Sequence, residues 1–256
     1  FLLSHRRALL ADEMRVGKTP QTILAAADLN RVLVIAPAVA TEQWQAEWVR
    51  WDGRASGILG NSSIVCSTTV VSYDMAVRKR NELLCWRWDA IICDEAHYLK
   101  NPGAQRTKAV LGKGGIAYCA DRLWMLTGTP MPKDPSERWV MARCFGLTKL
   151  SYTEWCDRYC RMDPLTRRVI GPTSAAPEVK ELFAPVTLRR TRADVAPDMG
   201  DVETAPLYLP SVNRTAMFDL PRGATDEELL SWLAAQGPNA SSTRTEVALA
   251  KVEPLA

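Results

Sequence analysis

Short apolar runs that alternate with helix-like segments constrain the fold of this 256-residue chain more than any other sequence feature. Each run has the length of a strand, and each precedes a segment of amphipathic or helical composition. The runs are 8–11, 31–36, 64–67, 90–93 and 123–126, and the helical segments are 22–29, 41–51, 73–84, 105–111 and 136–145. Strands that are apolar on both faces are typical of a parallel sheet covered by helices on both sides. The sequence therefore predicts an α/β fold with a doubly wound parallel sheet.

The alternation ends after Gly146. Segments 151–160 and 177–183 have helical composition and are separated by the turn-rich stretch 163–176, which predicts an α-helical protrusion from the sheet domain. The stretch 237–245 is polar and rich in Gly, Pro and Ser, as linkers are. The predicted domains are the sheet domain at 1–148, the helical protrusion at 149–195, closing strands at 196–221, and an acidic helix with a linker at 222–256.

Composition excludes several classes of protein and leaves an ordinary globular one. Hydrophobic residues make up 47% and charged residues 24%, which rules out disordered, collagenous and coiled-coil chains. The net charge of +3 is unevenly spread. Basic side chains exceed acidic ones by five in 1–160 and by four in 161–192, whereas acidic ones exceed basic ones by six in 193–256. A basic body is thus followed by an acidic tail.

Seven cysteines, most of them alone in apolar stretches, indicate reduced core thiols rather than a disulfide framework. Cys156 and Cys160 lie one helical turn apart, without the second pair that a zinc site needs. The longest apolar stretch, 32–40, contains Pro37 and is far shorter than the ~20 residues that span a bilayer. We therefore expect no contact with a membrane. The expected location is the cytoplasm of a bacterium or phage host, or the nucleus if the protein is eukaryotic.

The first candidate site follows the first strand. Gly17-Lys18-Thr19 matches the end of a Walker A loop, in which backbone N–H groups surround phosphate, Lys reaches the β- and γ-phosphates and a hydroxyl binds Mg²⁺. The match is partial, because Asp12 stands where the first glycine of the pattern belongs. An ordinary loop-to-helix junction is the alternative. The predicted nucleotide-binding residues are Met14, Arg15, Val16, Gly17, Lys18 and Thr19.

Two further strands end in polar residues. Asp94 and Glu95 follow the run 90–93, where such carboxylates can hold Mg²⁺ and deprotonate an attacking water. A solvated acidic turn is the alternative. Thr127, Gly128 and Thr129 follow the run 123–126 and supply hydroxyls and a flexible glycine. Ligands of doubly wound sheets bind at the carboxyl ends of strands, so the three junctions predict one shared site.

In this order the three junctions resemble the first RecA-like lobe of a superfamily-two helicase. Other segments narrow the resemblance to the SWI/SNF-type DNA-translocating ATPases, which include chromatin remodellers and fork-remodelling enzymes. These segments are the Ala-Pro and Glu-Trp pairs within 34–48, Val-Ser-Tyr-Asp at 71–74, Leu-Lys-Asn within 94–101 and Leu-Arg-Arg-Thr within 188–195. The resemblance covers about residues 1–221. It implies a RecA-like α/β fold with an α-helical protrusion, truncated before the second lobe.

The resemblance also implies the reaction, which is ATP hydrolysis with Mg²⁺ coupled to movement along double-stranded DNA. Lys18 and Glu95 would be catalytic, with Lys18 on the β- and γ-phosphates and Glu95 on the water. Thr19 and Asp94 would hold the metal ion. Nucleotide state would be coupled to DNA by His97, Thr127, Gly128 and Thr129, and the DNA backbone would be contacted by Pro37, Ser72, Tyr73 and Lys100.

Two departures from the family pattern qualify these expectations. Arg15 stands where the family usually has Gly, which makes the loop bulkier. No Gln-x-x-Gly-Arg-x-x-Arg pattern occurs, so the second RecA-like lobe, which supplies arginine fingers in the family, is expected to be missing from these residues. A restriction-type translocase and a nonhydrolytic nucleotide- or DNA-binding scaffold are the alternative functions.

Other features have two interpretations. The arginines at 167–168 and 189–192 extend a DNA track, or they form a solvated face or ion pairs with Glu178 and Glu181. Trp44, Trp48 and Trp51 recur at helical spacing, which favours packing in the core over stacking on bases.

Overall fold

The computed structural model describes residues 1–60, 67–128, 134–166 and 168–195. The strands in these residues are β1 (Arg7–Leu10), β2 (Val32–Ala36), β3 (Ser56–Ile58), β4 (Thr68–Ser72), β5 (Trp88–Cys93), β6 (Ala120–Leu126), β7 (Cys160–Met162), β8 (Val169–Pro172) and β9 (Thr187–Leu188). The α-helices are α1 (Lys18–Ala25), α2 (Thr41–Asp52), α3 (Tyr73–Arg78), α4 (Arg80–Leu84), α5 (Gln105–Leu111), α6 (Trp139–Phe145), α7 (Tyr152–Tyr159), α8 (Pro177–Phe183) and α9 (Arg192–Val195).

Seven of these strands form one sheet in the order β3-β4-β2-β5-β6-β1-β9, and neighbouring strands pair in parallel. The predicted parallel α/β sheet is confirmed. The register places Leu10 beside both Leu126 and Leu188, and Ile35 beside Cys93. The carboxyl ends of β1, β5, β6 and β9 therefore meet at one edge of the sheet, where ligands bind in folds of this kind.

The core lies on both faces of the sheet, because successive side chains of a strand point to opposite sides. Leu9, Ile35 and Ile91 belong to the cluster on one face, whereas Leu10 and Val34 belong to the cluster on the other. The second cluster also contains Trp44 and Trp48 of α2, which confirms their predicted place in the core. Trp51 differs, because its side chain is exposed and its indole N–H donates to Glu47.

The structure moves some of the predicted boundaries. A strand was predicted at 64–67. Ser67 is not part of a strand, because β4 begins at Thr68, and residues 64–66 lie outside the described residues. The helix predicted at 73–84 is divided into α3 and α4 at Lys79. Two strands of the sheet, β3 and β9, were not predicted. They have only three and two residues, which are too few to show a periodic pattern. The position of β4 was mispredicted because this strand is rich in Thr rather than purely apolar.

The segment 149–195 is only partly helical. It contains α7 and α8 as predicted, but the stretch expected to consist of turns contains β8, which pairs antiparallel with β7. Near its end, β9 joins the main sheet rather than the protrusion. The predicted closing strands at 196–221 and the acidic helix and linker at 222–256 lie outside the described residues.

All six described cysteines are free thiols, and Cys93, Cys156 and Cys160 are buried. Burial raises the pKa of the Cys160 thiol to about 12. Within the described residues, no helix is both long and apolar enough to cross a membrane.

Candidate nucleotide-binding site

The loop between β1 and α1 bends through two left-handed backbone conformations. Gly17, the residue before α1, has φ 86°, and Arg15 has φ 69°. Glycine adopts such angles without steric cost, whereas a residue with a Cβ is strained there. The loop conformation therefore favours the glycine at position 17 and makes the arginine at position 15 energetically unfavourable.

Lys18 opens α1, and its side chain folds back over the loop. Its Nζ donates to the carbonyl oxygens of Asp12 at 2.8 Å and Glu13 at 2.9 Å. Burial lowers the pKa of Lys18, while the nearby carboxylates of Glu95, Asp12 and Asp94 act in the opposite direction. The ammonium group thus lies half-buried among acidic groups from two strand ends.

Neutral groups position the Asp94 carboxylate at the end of β5. Its Oδ2 accepts a hydrogen bond from Trp44 Nε1 at 2.8 Å, and its Oδ1 accepts one from the Glu95 backbone N–H at 3.0 Å. The Tyr73 hydroxyl donates to the Asp94 carbonyl oxygen at 2.6 Å. The Tyr73 ring stacks on Tyr98, with the ring centroids 5.5 Å apart. These contacts fix the side chain without adding a positive charge.

Glu95 has φ 47°, a strained angle for a residue with a side chain. Its Oε2 lies 3.1 Å from His97 Nδ1, so the imidazole holds one carboxylate oxygen. Backbone strain of this kind concentrates at functional sites, so Glu95 stays a candidate for the predicted role.

The third junction lies against the first. A Cβ added to Gly128 would be 2.8 Å from Met14 Cγ and 3.8 Å from Lys18 Nζ. The backbone of the β6 end therefore passes within contact distance of the phosphate-type loop, where a side chain would displace Met14. Thr127 is buried beside it, and Thr129 lies outside the described residues.

Sequence reasoning missed how the loop is tied to the end of the described chain. Asp12 is fully buried, and its carboxylate accepts hydrogen bonds from the backbone N–H and side chain of Arg190, 178 residues later. Glu13 Oε2 accepts from the backbone N–H of Arg192 at 2.8 Å. A buried carboxylate directly after a buried strand does signal a missing cation. Sequence spacing does not reveal which cation it is.

The structure gives two of the arginines at 189–192 partners that the sequence did not suggest. Arg190 pairs with Asp12 and Arg192 with Glu13, so the predicted pairing of these two with Glu178 and Glu181 is wrong. Glu178 instead pairs with Arg158 at 2.7 Å. Arg168 and Arg189 are exposed, and Arg167 lies outside the described residues.

The predicted DNA contacts separate into exposed and buried positions. The prediction for Tyr73 is corrected. Its side chain is buried and its hydroxyl donates a hydrogen bond to the Asp94 carbonyl oxygen, so it cannot reach a DNA backbone.

The other three predicted DNA contacts lie nearer the surface. The Ser72 hydroxyl accepts a hydrogen bond from the Met75 backbone N–H and caps α3. Lys100 is exposed, with its Nζ 2.7 Å from Glu137. Pro37 is half-buried beside the fully solvated Val39.

Fold and site together define the class of the protein. A doubly wound sheet carries a lysine-bearing loop, an acidic turn and a glycine-containing turn on one edge, which is the arrangement of a RecA-like α/β domain. The SNF2-related domain family matches residues 3–210 of the chain. This chain belongs to that family.

Individual relatives agree with the family match. Protein CHROMATIN REMODELING 19 of Arabidopsis thaliana is 29% identical over 220 residues, covering 73% of this chain and 28% of the relative. The ISWI chromatin-remodeling complex ATPase ISW2 of Saccharomyces cerevisiae is 28% identical over 214 residues, covering 73% of this chain and 18% of the relative. The chain therefore spans less than a third of the length of these proteins. Neither relative supports the expected bacterial or phage origin.

A solved structure has the same fold. The Sulfolobus solfataricus SWI2/SNF2 ATPase core in complex with dsDNA superposes with a TM-score of 0.63 at 23% identity, covering 90% of this chain and 53% of that one. This likeness confirms the RecA-like fold.

Proposed function

We propose that this chain is the ATP-binding lobe of a DNA-dependent ATPase that moves along duplex DNA. The observation that carries the proposal is the convergence of three strand ends on Lys18. Its Nζ donates hydrogen bonds to the carbonyl oxygens of Asp12 and Glu13. The same ammonium group interacts electrostatically with Asp94 and Glu95 and lies close to Gly128. Membership in the SNF2-related family favours this motor over a restriction-type translocase.

ATP binds at the loop 14–19 in this proposal. Lys18 exchanges its two carbonyl partners for β- and γ-phosphate oxygens, which are stronger acceptors because they are charged. Phosphate also replaces the nearby carboxylates as the main counter-charge of the ammonium group. The amino end of α1, preceded by left-handed Gly17, presents free backbone N–H groups to the same phosphates.

The donor set fits Mg²⁺ bound together with ATP. Mg²⁺ in nucleotide sites takes one or two protein oxygens and completes its shell with phosphates and waters. Asp94 offers a carboxylate whose hydrogen bonds leave lone pairs on both oxygens, and Thr19 offers a hydroxyl at the start of α1. When bound, the ion neutralises charge that develops on the phosphates during hydrolysis.

Glu95 is the proposed general base. Its carboxylate would accept a proton from the attacking water, while His97 Nδ1, 3.1 Å from Oε2, restrains the side chain. His97 is also the proposed link between this carboxylate and the DNA-facing side, together with Thr127, Gly128 and Thr129. Thr127 is buried, and its backbone N–H donates to the Leu10 carbonyl at the end of β1, which supports a link between these two strand ends.

Double-stranded DNA is the proposed second partner, contacted through its phosphates. Pro37 is half-buried directly after β2, Lys100 is exposed, and Ser72 caps the helix that follows β4. Contacts of this kind position a protein on DNA without reading sequence. The excess of basic side chains in 1–192 supports the same conclusion.

DNA binding is tested by salt titration. Affinity for duplex DNA should fall with a log–log slope of about −0.9 per phosphate contact and should not depend on sequence. A variant ending at Pro221 should bind more tightly, because the residues removed carry part of the acidic tail. Strong preference for one sequence, or absence of a salt effect, would contradict phosphate contacts.

Turnover tests the proposed enzyme. No residue in these 256 matches the family's arginine-finger motif, and such a finger is worth roughly a thousandfold to a hundred-thousandfold in rate. The chain alone should therefore bind ATP but hydrolyse it negligibly, with or without DNA. Joining the second lobe of a relative in cis should restore DNA-stimulated hydrolysis. Efficient hydrolysis by the chain alone would show that the finger lies within this lobe.

A further inference from the structure

One arginine ties together the two ends of the phosphate-type loop. The backbone N–H of Arg190 donates to Asp12 Oδ1 at 2.8 Å, its Nε donates to the same oxygen at 3.3 Å, and its Nη2 contacts Asp12 Oδ2. The same Nη2 contacts Gln21 Oε1, and Gln21 Nε2 donates to the Val16 carbonyl at 3.0 Å. The guanidinium thereby connects the start of the loop, at Asp12, with its end, at Val16.

Backbone pairing fixes the place of this arginine. β9 lies beside β1, and the ladder continues past both strands. The Ala11 N–H donates to the Leu188 carbonyl at 2.7 Å, and the Glu13 N–H donates to the Arg190 carbonyl at 2.9 Å. The backbone pairing of the sheet therefore positions Arg190 next to the loop.

Asp12 makes the charge of Arg190 important for Lys18. The Asp12 carboxylate is fully buried, and a buried carboxylate without a cation is costly. Lys18 is a second cation within reach of that charge, since its Nζ donates to the carbonyl oxygen of Asp12 at 2.8 Å. Without Arg190, Lys18 and Asp12 would pair with each other, and the ammonium group would be withdrawn from the nucleotide.

We infer that Arg190 is a positioning residue that neutralises Asp12 and so keeps Lys18 available for phosphate. The inference rests on the proposed ATP site. It assigns Arg190, within the Leu-Arg-Arg-Thr segment, to control of nucleotide binding. Arg190 acts through Asp12 and Lys18 and does not itself touch the nucleotide.

The test compares two ways of breaking the same contact. Arg190→Met leaves Asp12 charged and should weaken Mg·ATP binding by about tenfold to a hundredfold, the effect of one charge-assisted hydrogen bond. Asp12→Asn removes the charge that competes for Lys18 and should bind within about threefold of wild type. The double variant Asp12→Asn/Arg190→Met should recover most of the lost affinity. Calorimetry on the full 256-residue chain measures all four proteins.

Controls separate this role from a merely structural one. Arg190→Met also lowers stability, so thermal unfolding is followed in parallel and affinities are measured well below each Tm. Arg190→Lys keeps the charge but loses the two-pronged contact, and it should bind ATP better than Arg190→Met. Arg158→Met removes an arginine from the exposed pair with Glu178 and should leave affinity unchanged.

The outcomes are distinct. Equal losses in Asp12→Asn and Arg190→Met, with no recovery in the double variant, would overturn the inference and show a structural tie. Failure of the wild-type chain to bind Mg·ATP would overturn the proposed function, and the inference with it. Binding by wild type together with the asymmetric loss and recovery would support both.

Discussion

The two acidic strand ends of the site are stabilised in opposite ways. Asp12, at the end of β1, is fully buried and is paired with the guanidinium of Arg190. Asp94, at the end of β5, is half-buried and is held by the neutral donors of Trp44 and of the Glu95 backbone. A structural carboxylate needs a full counter-charge in the interior. A carboxylate that is to bind a metal ion must be oriented without being neutralised.

The difference explains how one sheet edge contains several acids close together. Arg190 neutralises the charge of Asp12, whereas the charge of Asp94 and Glu95 remains available for the proposed Mg²⁺ ion and attacking water. Lys18 lies between the two regions and is influenced by both. Variants at each strand end should therefore have different consequences, with binding affected at the loop and turnover or metal dependence affected at the acidic turn.

The largest expected effect is on turnover at the acidic turn. In a protein with both lobes, Glu95→Gln should lower DNA-stimulated hydrolysis by about a hundredfold to ten-thousandfold, the usual contribution of a general base. Nucleotide affinity should change little, because the proposed general base acts on water rather than on phosphate. Steady-state rates and calorimetry measure the two effects, and Glu42→Gln, an exposed change on α2, is the control. A parallel loss of affinity would place Glu95 in binding instead.

A smaller effect is expected from the neutral donor to Asp94. Trp44→Phe removes the indole N–H and leaves a cavity, so the free energy of unfolding should fall by about 2–4 kcal/mol. Loss of the group that orients Asp94, the proposed metal ligand, should also raise the Mg²⁺ concentration needed for ATP binding by about tenfold.

Trp48→Phe is the matched control for that prediction. Its indole N–H donates to Asp52 Oδ2 at 2.9 Å on the same helix, away from the site. Denaturant unfolding should show similar losses for both variants, whereas only Trp44→Phe should change the Mg²⁺ requirement. An equal shift in both variants would show that the helix, not the hydrogen bond, controls the metal site.

The smallest effect is expected at the loop backbone. Arg15→Gly should raise the free energy of unfolding by about 1 kcal/mol, because Arg15 occupies a left-handed conformation that glycine adopts freely. Lys113→Gly, in an exposed turn without a positive φ, should give no such gain. Denaturant unfolding measures the free energy of unfolding of both variants. A loss of stability in Arg15→Gly would show that the arginine side chain stabilises the loop.

The sequence was sufficient to predict the central strands β2, β5, β6 and β1 and the polar residues at three strand ends. Buried strands such as β2 and β5 are apolar throughout, and the polar residues that follow them stand out against that pattern. β9 could not be predicted from two residues, because its stability comes from pairing with β1 rather than from its own composition.

The supporting contacts of the site were harder to predict than its reactive groups. Lys18, Asp94 and Glu95 are recognisable from residue type and position after a strand. The partners Trp44 and Arg190 lie 50 and 178 residues away in sequence from the carboxylates they hold, and only the three-dimensional fold brings each pair together. Tyr73 illustrates the same limit, since its motif suggested DNA contact but the fold buries it beneath Asp94.

Calorimetric titration of Mg·ATP into the wild-type chain and Lys18→Ala tests the central claim, that the three strand ends form a phosphate site around Lys18. Lys180→Ala, on the exposed face of α8, is the control. The account predicts measurable binding by wild type and control. It also predicts a loss in Lys18→Ala greater than the ~1.5–3 kcal/mol of one charge-assisted hydrogen bond, because the ammonium contacts several phosphate oxygens. Equal affinity in wild type and Lys18→Ala would contradict it.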